Sequence, residues 1–379
     1  MTEVEIFETR QLKRFISING EHKEYKKLTE SLNELLEVYS REVQAENLFD
    51  EVSSELQKTG ARNTKINEKL GESISIVDDW RKKYDRFVLH KYHYYLVSAH
   101  LQMQKKFREA IVVSNEFEKL MNSNQTFYRR SIHWRIIANN LYCAVHLRDF
   151  QSGERFAKRA QELCNAGSGH WLFNIEWYIL LCIQNNNLET ALEQYKVAIN
   201  SRRINLKNYH NKEKWRIYKA YIDYAMLHAG RENEIEDEDT IRNTEDLDNF
   251  VRELPTYSKD KRGFYVSIII VQILFLLEWG NIDGIIDRIE SIKRYIGRYL
   301  RRPEFYRTYC FMKLLLIMEK KNFDPEAVRA AGKRYYEKLT PSDNQDMSAL
   351  DTLEIIPLDD LWVNILRTLE RLKKQGTIV

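Results

Sequence analysis

One pattern of large and small residues recurs along the chain and constrains its fold more than any other feature. It runs through residues 92–120, where two helix-like stretches flank a turn at Lys105, and it is clearest over residues 171–199. The equivalent positions Phe107, Phe150 and Leu188, which open each second stretch, are 43 and 38 residues apart. A unit of two helices and a turn that returns about every forty residues predicts a stack of helical hairpins.

Small residues recur where the two helices of each hairpin must approach closely. Antiparallel helices reach an axial separation of roughly 8–10 Å only where the facing side chains are small. The first copy consists of Tyr94, Ser98, Leu101, Phe107, Ala110, Ser114 and Phe117. The second copy consists of Ile137, Leu141, Ala144, Phe150, Gly153, Ala157 and Ala160, and the third of Ile175, Ile179, Cys182, Leu188, Ala191, Tyr195 and Ala198.

This arrangement resembles the tetratricopeptide repeat. In the first copy Tyr94, Ser98, Phe107 and Ala110 match that family by residue type, whereas Leu101, Ser114 and Phe117 depart from it. The resemblance implies an all-α, right-handed superhelix of about five or six divergent hairpins with a concave groove. In style the tyrosine-rich helices resemble bacterial solenoid proteins of this type. Helical hairpins of no particular family are the alternative.

Composition and charge narrow the class of protein. The 379 residues include only 5 prolines and 13 glycines, which favours long helices with short turns, and a net charge of +3 gives no global attraction to nucleic acid or anionic membrane. The longest apolar run, residues 266–277, contains Gln272 and is too short to cross a bilayer, so we interpret it as a core helix. The N-terminus lacks the pattern of a signal peptide. Four unpaired cysteines predict free thiols in the cytoplasm.

The domain organisation is predicted in three parts. Residues 1–72 form an N-terminal helical extension, with a short helix ending near Asn19 and a polar break over residues 58–72. Residues 73–339 form the repeat array, interrupted by an acid-rich insert at 231–248 that is typical of a solvated loop, with recruitment of a basic partner as the alternative. Residues 340–379 form a linker and a helix whose apolar stripe, around Trp362, either caps the array or docks on a partner.

Sequence signatures of catalysis are missing. The chain has no phosphate-binding glycine loop, no GxSxG and no HExxH. His90, His93 and His100 have helical spacing, but zinc would need a further ligand, and packing among tyrosines is the favoured interpretation. We therefore expect a non-enzyme with no catalytic residue, no cofactor and no metal, while an enzyme with a dispersed site remains a third possibility.

The function predicted is non-catalytic binding of a protein or peptide in the groove. The predicted contacts are non-core positions on first helices, namely Asn139, Asn140, Tyr178, Gln184, Lys219 and Asp223. A second predicted contact is the basic segment 293–307, in particular Arg294, Arg298, Arg301 and Arg302. Because that segment alternates arginines with aromatic residues, sequence-tolerant binding of nucleic acid is the alternative function. The sequence leaves the partner and the oligomeric state open.

Overall fold

The computed structural model describes residues 2–19, 22–59, 64–201, 209–235, 237, 239–254, 264–299, 306–339 and 354–378. Within these ranges the chain forms sixteen α-helices and one short 3-10 helix, and no strand. The prediction of an all-α fold is confirmed. Contacts group the chain into two compact units, Met1–Ile136 and Ile137–Val379, and the division falls inside one helix.

The first unit is built from five helices and the start of a sixth. These are α1 (Thr2–Asn19), α2 (His22–Thr59), α3 (Thr64–Tyr84), α4 (Phe87–Met103), α5 (Phe107–Ser123) and α6 (Arg130–Leu147). The predicted short N-terminal helix is α1. The predicted polar break is narrower than expected, because α2 continues to Thr59 and α3 already begins at Thr64. Helix α2 packs against α1, α3 and α4, and α4 pairs with α5.

The second unit continues with α6 and ten further helices. These are α7 (Phe150–Glu162), α8 (Gly169–Gln184), α9 (Leu188–Ile199), α10 (Tyr209–His228), α11 (Thr244–Glu253), α12 (Phe264–Glu278), α13 (Ile282–Tyr299), α14 (Tyr306–Lys320), α15 (Pro325–Tyr336) and α16 (Leu358–Lys374). From α7 onward most helices pack against the next helix in the chain. Packing in neighbouring pairs is compatible with a helical-repeat fold.

Six hairpin turns repeat one backbone conformation. In each turn a residue one or two positions after the end of the first helix has a positive φ, between 50° and 69°. The backbone amide of the residue that follows it donates to the carbonyl oxygen five residues back, at 2.8–3.0 Å. This left-handed cap satisfies carbonyl groups that the helix end leaves open. The residues that adopt it are Lys105, Arg148, Asn186, Gly230, Gly280 and Asn322. The turn predicted at Lys105 is confirmed, and the backbone repeat proves stricter than the sequence repeat.

The small residues of the repeat pattern lie where helices meet. Ala110, Ala157 and Ala191 are completely buried. At Gly153 of α7 even a methyl group would overlap Leu181 of α8 and lie 3.2 Å from Cβ of Ala144 in α6. Three helices therefore converge on a position that only glycine fits without rearrangement.

The acid-rich insert is not a solvated loop in the part that the structure describes. Ile235, Ile241 and Leu247 are buried, and α11 begins inside the insert with the side chain of Asn243 capping its first turn. The prediction of a solvated loop is wrong for these residues, because three apolar side chains spaced among the acids anchor the segment to the core.

Two other predictions concern the core. The apolar run at residues 266–277 lies in α12 and is almost entirely buried, as predicted for a core helix. All four cysteines are free, and three of them are buried. No helix among the described residues combines the length and the apolarity needed to cross a membrane.

Candidate functional site

Helix α16 covers part of the second unit with its apolar stripe. Trp362 is only 1% exposed, and its ring lies against Gly332 of α15 and close to Leu314 of α14. The helix also packs against α12. The other buried apolar residues of α16 are Leu358, Leu361, Ile365, Leu366, Leu369 and Leu372. The stripe predicted from the sequence is therefore buried within the chain itself.

A buried carboxylate fixes the C-terminal half of α16. Glu278, at the end of α12, has a side chain only 3% exposed. It accepts hydrogen bonds from the Thr368 hydroxyl (2.9 Å) and the Arg371 guanidinium (2.6 Å), and it lies 2.6 Å from Nδ1 of His228. Burial alone would raise the pKa of Glu278, but these partners hold the pKa below its ordinary value. The carboxylate is thus kept charged at the centre of the contact.

A network of ion pairs fixes the other end of α16. Arg148, in the turn after α6, donates to Asp359 (3.1 Å) and Asp360 (2.9 Å). Arg307 of α14 binds the same Asp359 (2.6 Å) and also Glu354 (2.7 Å). The N-terminus of α16 therefore lies next to the C-terminal end of α6.

Four ring-bearing side chains cluster on α6 and α8 beside this point. Tyr142 and His146 come from α6, and Phe173 and Trp177 come from α8. The Tyr142 ring meets the Trp177 ring edge to face at a centroid distance of 4.9 Å, and it meets the His146 ring at 4.5 Å. Phe173 lies 6.0 Å from Trp177. We call these four residues the aromatic face.

The aromatic face is the accessible side of both helices. In α8, Ile175 and Ile179 are completely buried, whereas Trp177 is half-buried and Phe173 is 40% exposed. A helix turns 100° per residue, so Phe173 and Trp177 lie on the side opposite the buried pair. The aromatic face therefore leaves parts of these rings accessible on helices whose other side forms the core.

Two of the predicted contact residues belong to the same side of these helices. Asn139 lies three residues before Tyr142, and Gln184 lies seven residues after Trp177, so helical spacing places each near the aromatic face. Both residues are half-buried. The Oε1 atom of Gln184 is buried and has no hydrogen-bond partner among the residues that the structure describes. This oxygen is covered by neighbouring atoms, so it does not by itself offer a contact to a ligand.

The electrostatics of the aromatic face are nearly neutral. Burial lowers the pKa of His146 to about 4, so its imidazole is uncharged at neutral pH. On the side toward α10, Glu176 is neutralised by an ion pair with Lys214 and accepts a hydrogen bond from the Tyr218 hydroxyl (2.6 Å). The arrangement suits apolar and aromatic groups rather than ions.

The other four predicted contact residues on first helices lie in the core. Asn140, Tyr178, Lys219 and Asp223 are all at most 3% exposed. The assumption that they are non-core was wrong, because each lies on the inward side of its helix; Tyr178, for example, donates to Glu154 (3.0 Å). Their role in binding stays a prediction without support from accessibility.

Lys219 and Asp223 form a buried ion pair that holds the acid-rich segment. The Lys219 amine lies 2.8 Å from Asp223 and donates to the Thr240 hydroxyl (3.2 Å), and Asp223 accepts from the backbone amide of Ile241 (3.2 Å). Burial raises the pKa of Asp223 to about 6 despite the neighbouring lysine. The pair lines a cleft of about 330 Å³. These contacts account for both charges within the fold.

The basic segment is only partly described. Arg294 is exposed on α13, and Arg298 lies near the end of the same helix. Arg301 and Arg302 lie outside the described residues. Arg307, at the end of the same segment, is bound by Asp359 and Glu354, so its charge is already neutralised.

Each of the three histidines of α4 has a side-chain neighbour of its own. His90 lies 2.8 Å from Asp85, His93 lies 3.3 Å from Asp78, and His100 lies 2.7 Å from Gln104. These separate contacts agree with the interpretation of packed histidines.

The aromatic face is not among the contacts predicted from the sequence. The signal was present, because residues 139, 142 and 146 and residues 173, 177 and 184 are each spaced as one side of a helix. Aromatic residues with this spacing can either fill the contact between neighbouring repeats or form a binding surface. Only the exposure of Phe173 and the partial exposure of Trp177 favour the binding surface.

Comparison with protein-family models, curated protein sequences and solved structures finds no match to this chain.

Proposed function

We propose that the chain is a non-catalytic scaffold that binds a segment of a partner protein, or a peptide, across the aromatic face. In this proposal the hairpins form a right-handed superhelix of the tetratricopeptide type, the array lies in the cytoplasm, and the first helices α6 and α8 supply the contact surface. The observation that carries the proposal is the partly exposed cluster of Tyr142, His146, Phe173 and Trp177.

Aromatic rings in such a position favour binding of a macromolecule. Trp and Tyr are enriched among residues that dominate binding energy, because they are large, rigid and lose little conformational entropy. The four rings of the aromatic face touch one another and are held by helices with fully buried opposite sides. A partner would therefore meet a preorganised surface.

The packing of α16 is a precedent within the same unit. The helix lays one apolar stripe on α12, α14 and α15 and adds charged contacts at both ends, to Arg148 and to Glu278. Helices of this unit thus accept an amphipathic segment with polar ends. For the aromatic face, the matching ligand is a segment with two or three large apolar side chains.

The test is a selection of linear peptides from a random phage-displayed library on the full-length chain. Affinities of the selected peptides are then measured by calorimetry for wild type, Trp177→Ala and Tyr142→Ala. Loss of a central ring should weaken binding at least about 30-fold, the equivalent of about 2 kcal/mol. Tyr265→Ala removes an exposed ring (38%) from α12 and serves as the control, with unchanged affinity expected.

Two results would overturn the proposal. One is that selected peptides bind Trp177→Ala and Tyr142→Ala as tightly as wild type. The other is that no peptide is enriched while a single-stranded oligonucleotide binds with an affinity that falls steeply with salt, which would support the alternative function.

A further inference from the structure

Helix α1 carries a row of large apolar side chains that face solvent. The exposed fractions are 58% for Val4, 62% for Phe7, 50% for Leu12, 62% for Phe15 and 83% for Ile18. These positions lie within one side of the helix, because each turn of 3.6 residues brings the next member back to that side. We call these five residues the α1 stripe. Single exposed apolar residues are ordinary on protein surfaces, but a contiguous row marks an interaction site.

The opposite side of α1 is firmly packed. Ile6 and Ile16 are buried against the first unit, the Thr2 hydroxyl donates to Glu42 (2.9 Å), and the Tyr39 hydroxyl donates to Glu3 (2.6 Å). Helix α1 is thus held in place by its other side. The exposure of the α1 stripe is a property of the packed helix.

Four of the five residues of the α1 stripe form symmetric pairs about Gln11, whereas Leu12 has Arg10 at the equivalent position. Val4 and Ile18 each lie seven residues from Gln11, and Phe7 and Phe15 each lie four residues from it. Gln11 is itself exposed on the same side. A two-fold axis requires that residue i of one copy meets residue j of the other while j meets i. Two antiparallel copies of α1 related by an axis at Gln11 meet this requirement, with Val4 opposite Ile18 and Phe7 opposite Phe15.

We propose that α1 pairs with α1 of a second copy of this chain in an antiparallel, two-fold arrangement centred on Gln11. A second copy fits this surface because the pairs Val4–Ile18 and Phe7–Phe15 let it meet itself, as a two-fold interface requires. The proposal is independent of ligand binding at the aromatic face.

The contact is modest in size. A large apolar side chain offers roughly 150–200 Å² of surface, so five side chains that are half to four-fifths exposed present on the order of 500 Å² per copy. Two copies bury about 1,000 Å² in total, the lower limit for a specific interface. The dimer should therefore dissociate at micromolar concentration.

Single cysteine substitutions in the full-length chain test the antiparallel pairing of α1 under glutathione redox exchange. The wild-type chain is the control for covalent dimers formed by its own four thiols. Gln11→Cys should form a covalent dimer at about 100 μM protein, because residue 11 meets its own counterpart on the axis. Val4→Cys and Ile18→Cys should each give no covalent dimer alone and should form a covalent heterodimer when mixed. Parallel pairing would instead link Val4→Cys to itself.

Sedimentation equilibrium provides a measurement without a cross-link. Phe15→Glu should weaken self-association at least tenfold, because it places two charges in the apolar contact. Val112→Glu changes a residue of similar exposure (55%) on α5 and should leave self-association unchanged. The proposal is overturned if wild type stays monomeric at about 100 μM or if Gln11→Cys gives no covalent dimer. It is also overturned if the wild-type chain does not self-associate but binds vesicles of anionic phospholipid through the α1 stripe.

Discussion

Replacing Trp362 by alanine should destabilise the second unit strongly, because this side chain connects α16 to its neighbours. Trp362 is 1% exposed and lies against Gly332, where a methyl group would come within 3.2 Å of its ring. The same added methyl would lie 2.9 Å from Leu314. The three residues thus fill one space between α14, α15 and α16.

The size of the effect follows from the area that the ring removes from water. A buried tryptophan side chain covers roughly 200 Å², and at about 25 cal/mol per Å² this gives about 5 kcal/mol. Truncations of buried aromatic residues to alanine cost about 3–5 kcal/mol. We expect Trp362→Ala to lower the free energy of unfolding of the second unit by about 4 kcal/mol.

Urea unfolding followed by circular dichroism measures this loss, and hydrogen exchange of peptides from α14, α15 and α16 shows where it occurs. Arg367→Ala, an exposed position on the same helix, is the control and should change stability by less than about 0.5 kcal/mol. Gly332→Ala should cost about 1–3 kcal/mol by overpacking. In the Trp362→Ala background Gly332→Ala should cost less, because the indole ring that the new methyl group would meet is no longer present.

A helix that detaches readily would give a different result. The amides of α16 would then exchange at nearly unfolded rates in wild type, and Trp362→Ala would lower stability by less than about 1 kcal/mol. Either observation would refute the interpretation of α16 as an integral part of the second unit.

Three further predictions test the buried charges and the hairpin turns. Lys219→Met leaves the Asp223 carboxylate buried without its partner and should cost about 3–5 kcal/mol in urea unfolding, whereas Lys219→Met with Asp223→Leu should cost less; an additive loss would contradict this. Burial lowers the pKa of His146 to about 4, so between pH 4 and 6.5 the unfolded chain binds more protons, and stability should fall as pH drops through that range. His146→Gln should remove up to roughly 3 kcal/mol of this loss in melting experiments from pH 7 to pH 4, and an unchanged pH dependence would contradict it. Gly230→Ala and Gly280→Ala each put alanine into the left-handed backbone conformation, which costs about 1–2 kcal/mol. Only at Gly280 would the new methyl group also meet another side chain, Thr377 at 2.9 Å, so Gly280→Ala should lose more thermal stability than Gly230→Ala.

The sequence was sufficient for the helices and for most of the core. The recurrence of small residues such as Ala110, Ala157 and Ala191 located the hairpins, because helix packing leaves no room for larger side chains at those positions. It did not show that all six turns share one left-handed cap, since lysine, arginine, asparagine and glycine all occupy it. In those turns backbone hydrogen bonding determines the conformation, and the residue type follows it only loosely.

The site was harder to predict because polarity along a helix does not report burial. Lys219 and Asp223 look like groove residues in sequence, yet they pair with each other and the acid-rich segment, whose Thr240 follows 21 residues after Lys219, folds over them. Conversely, Tyr142 and Trp177 look like core residues but remain accessible. Both errors come from tertiary contacts that helical periodicity does not contain.

The most direct test of the proposed function follows Trp177 itself. The chain has seven tryptophans, and labelling them with 5-fluorotryptophan gives a fluorine NMR spectrum in which Trp177→Phe identifies one resonance by its loss. Addition of a selected peptide to saturation should shift the Trp177 resonance, while Trp215 and Trp362, which are 5% and 1% exposed, keep their positions. A Trp177 resonance that does not move while the peptide is bound would contradict binding at the aromatic face.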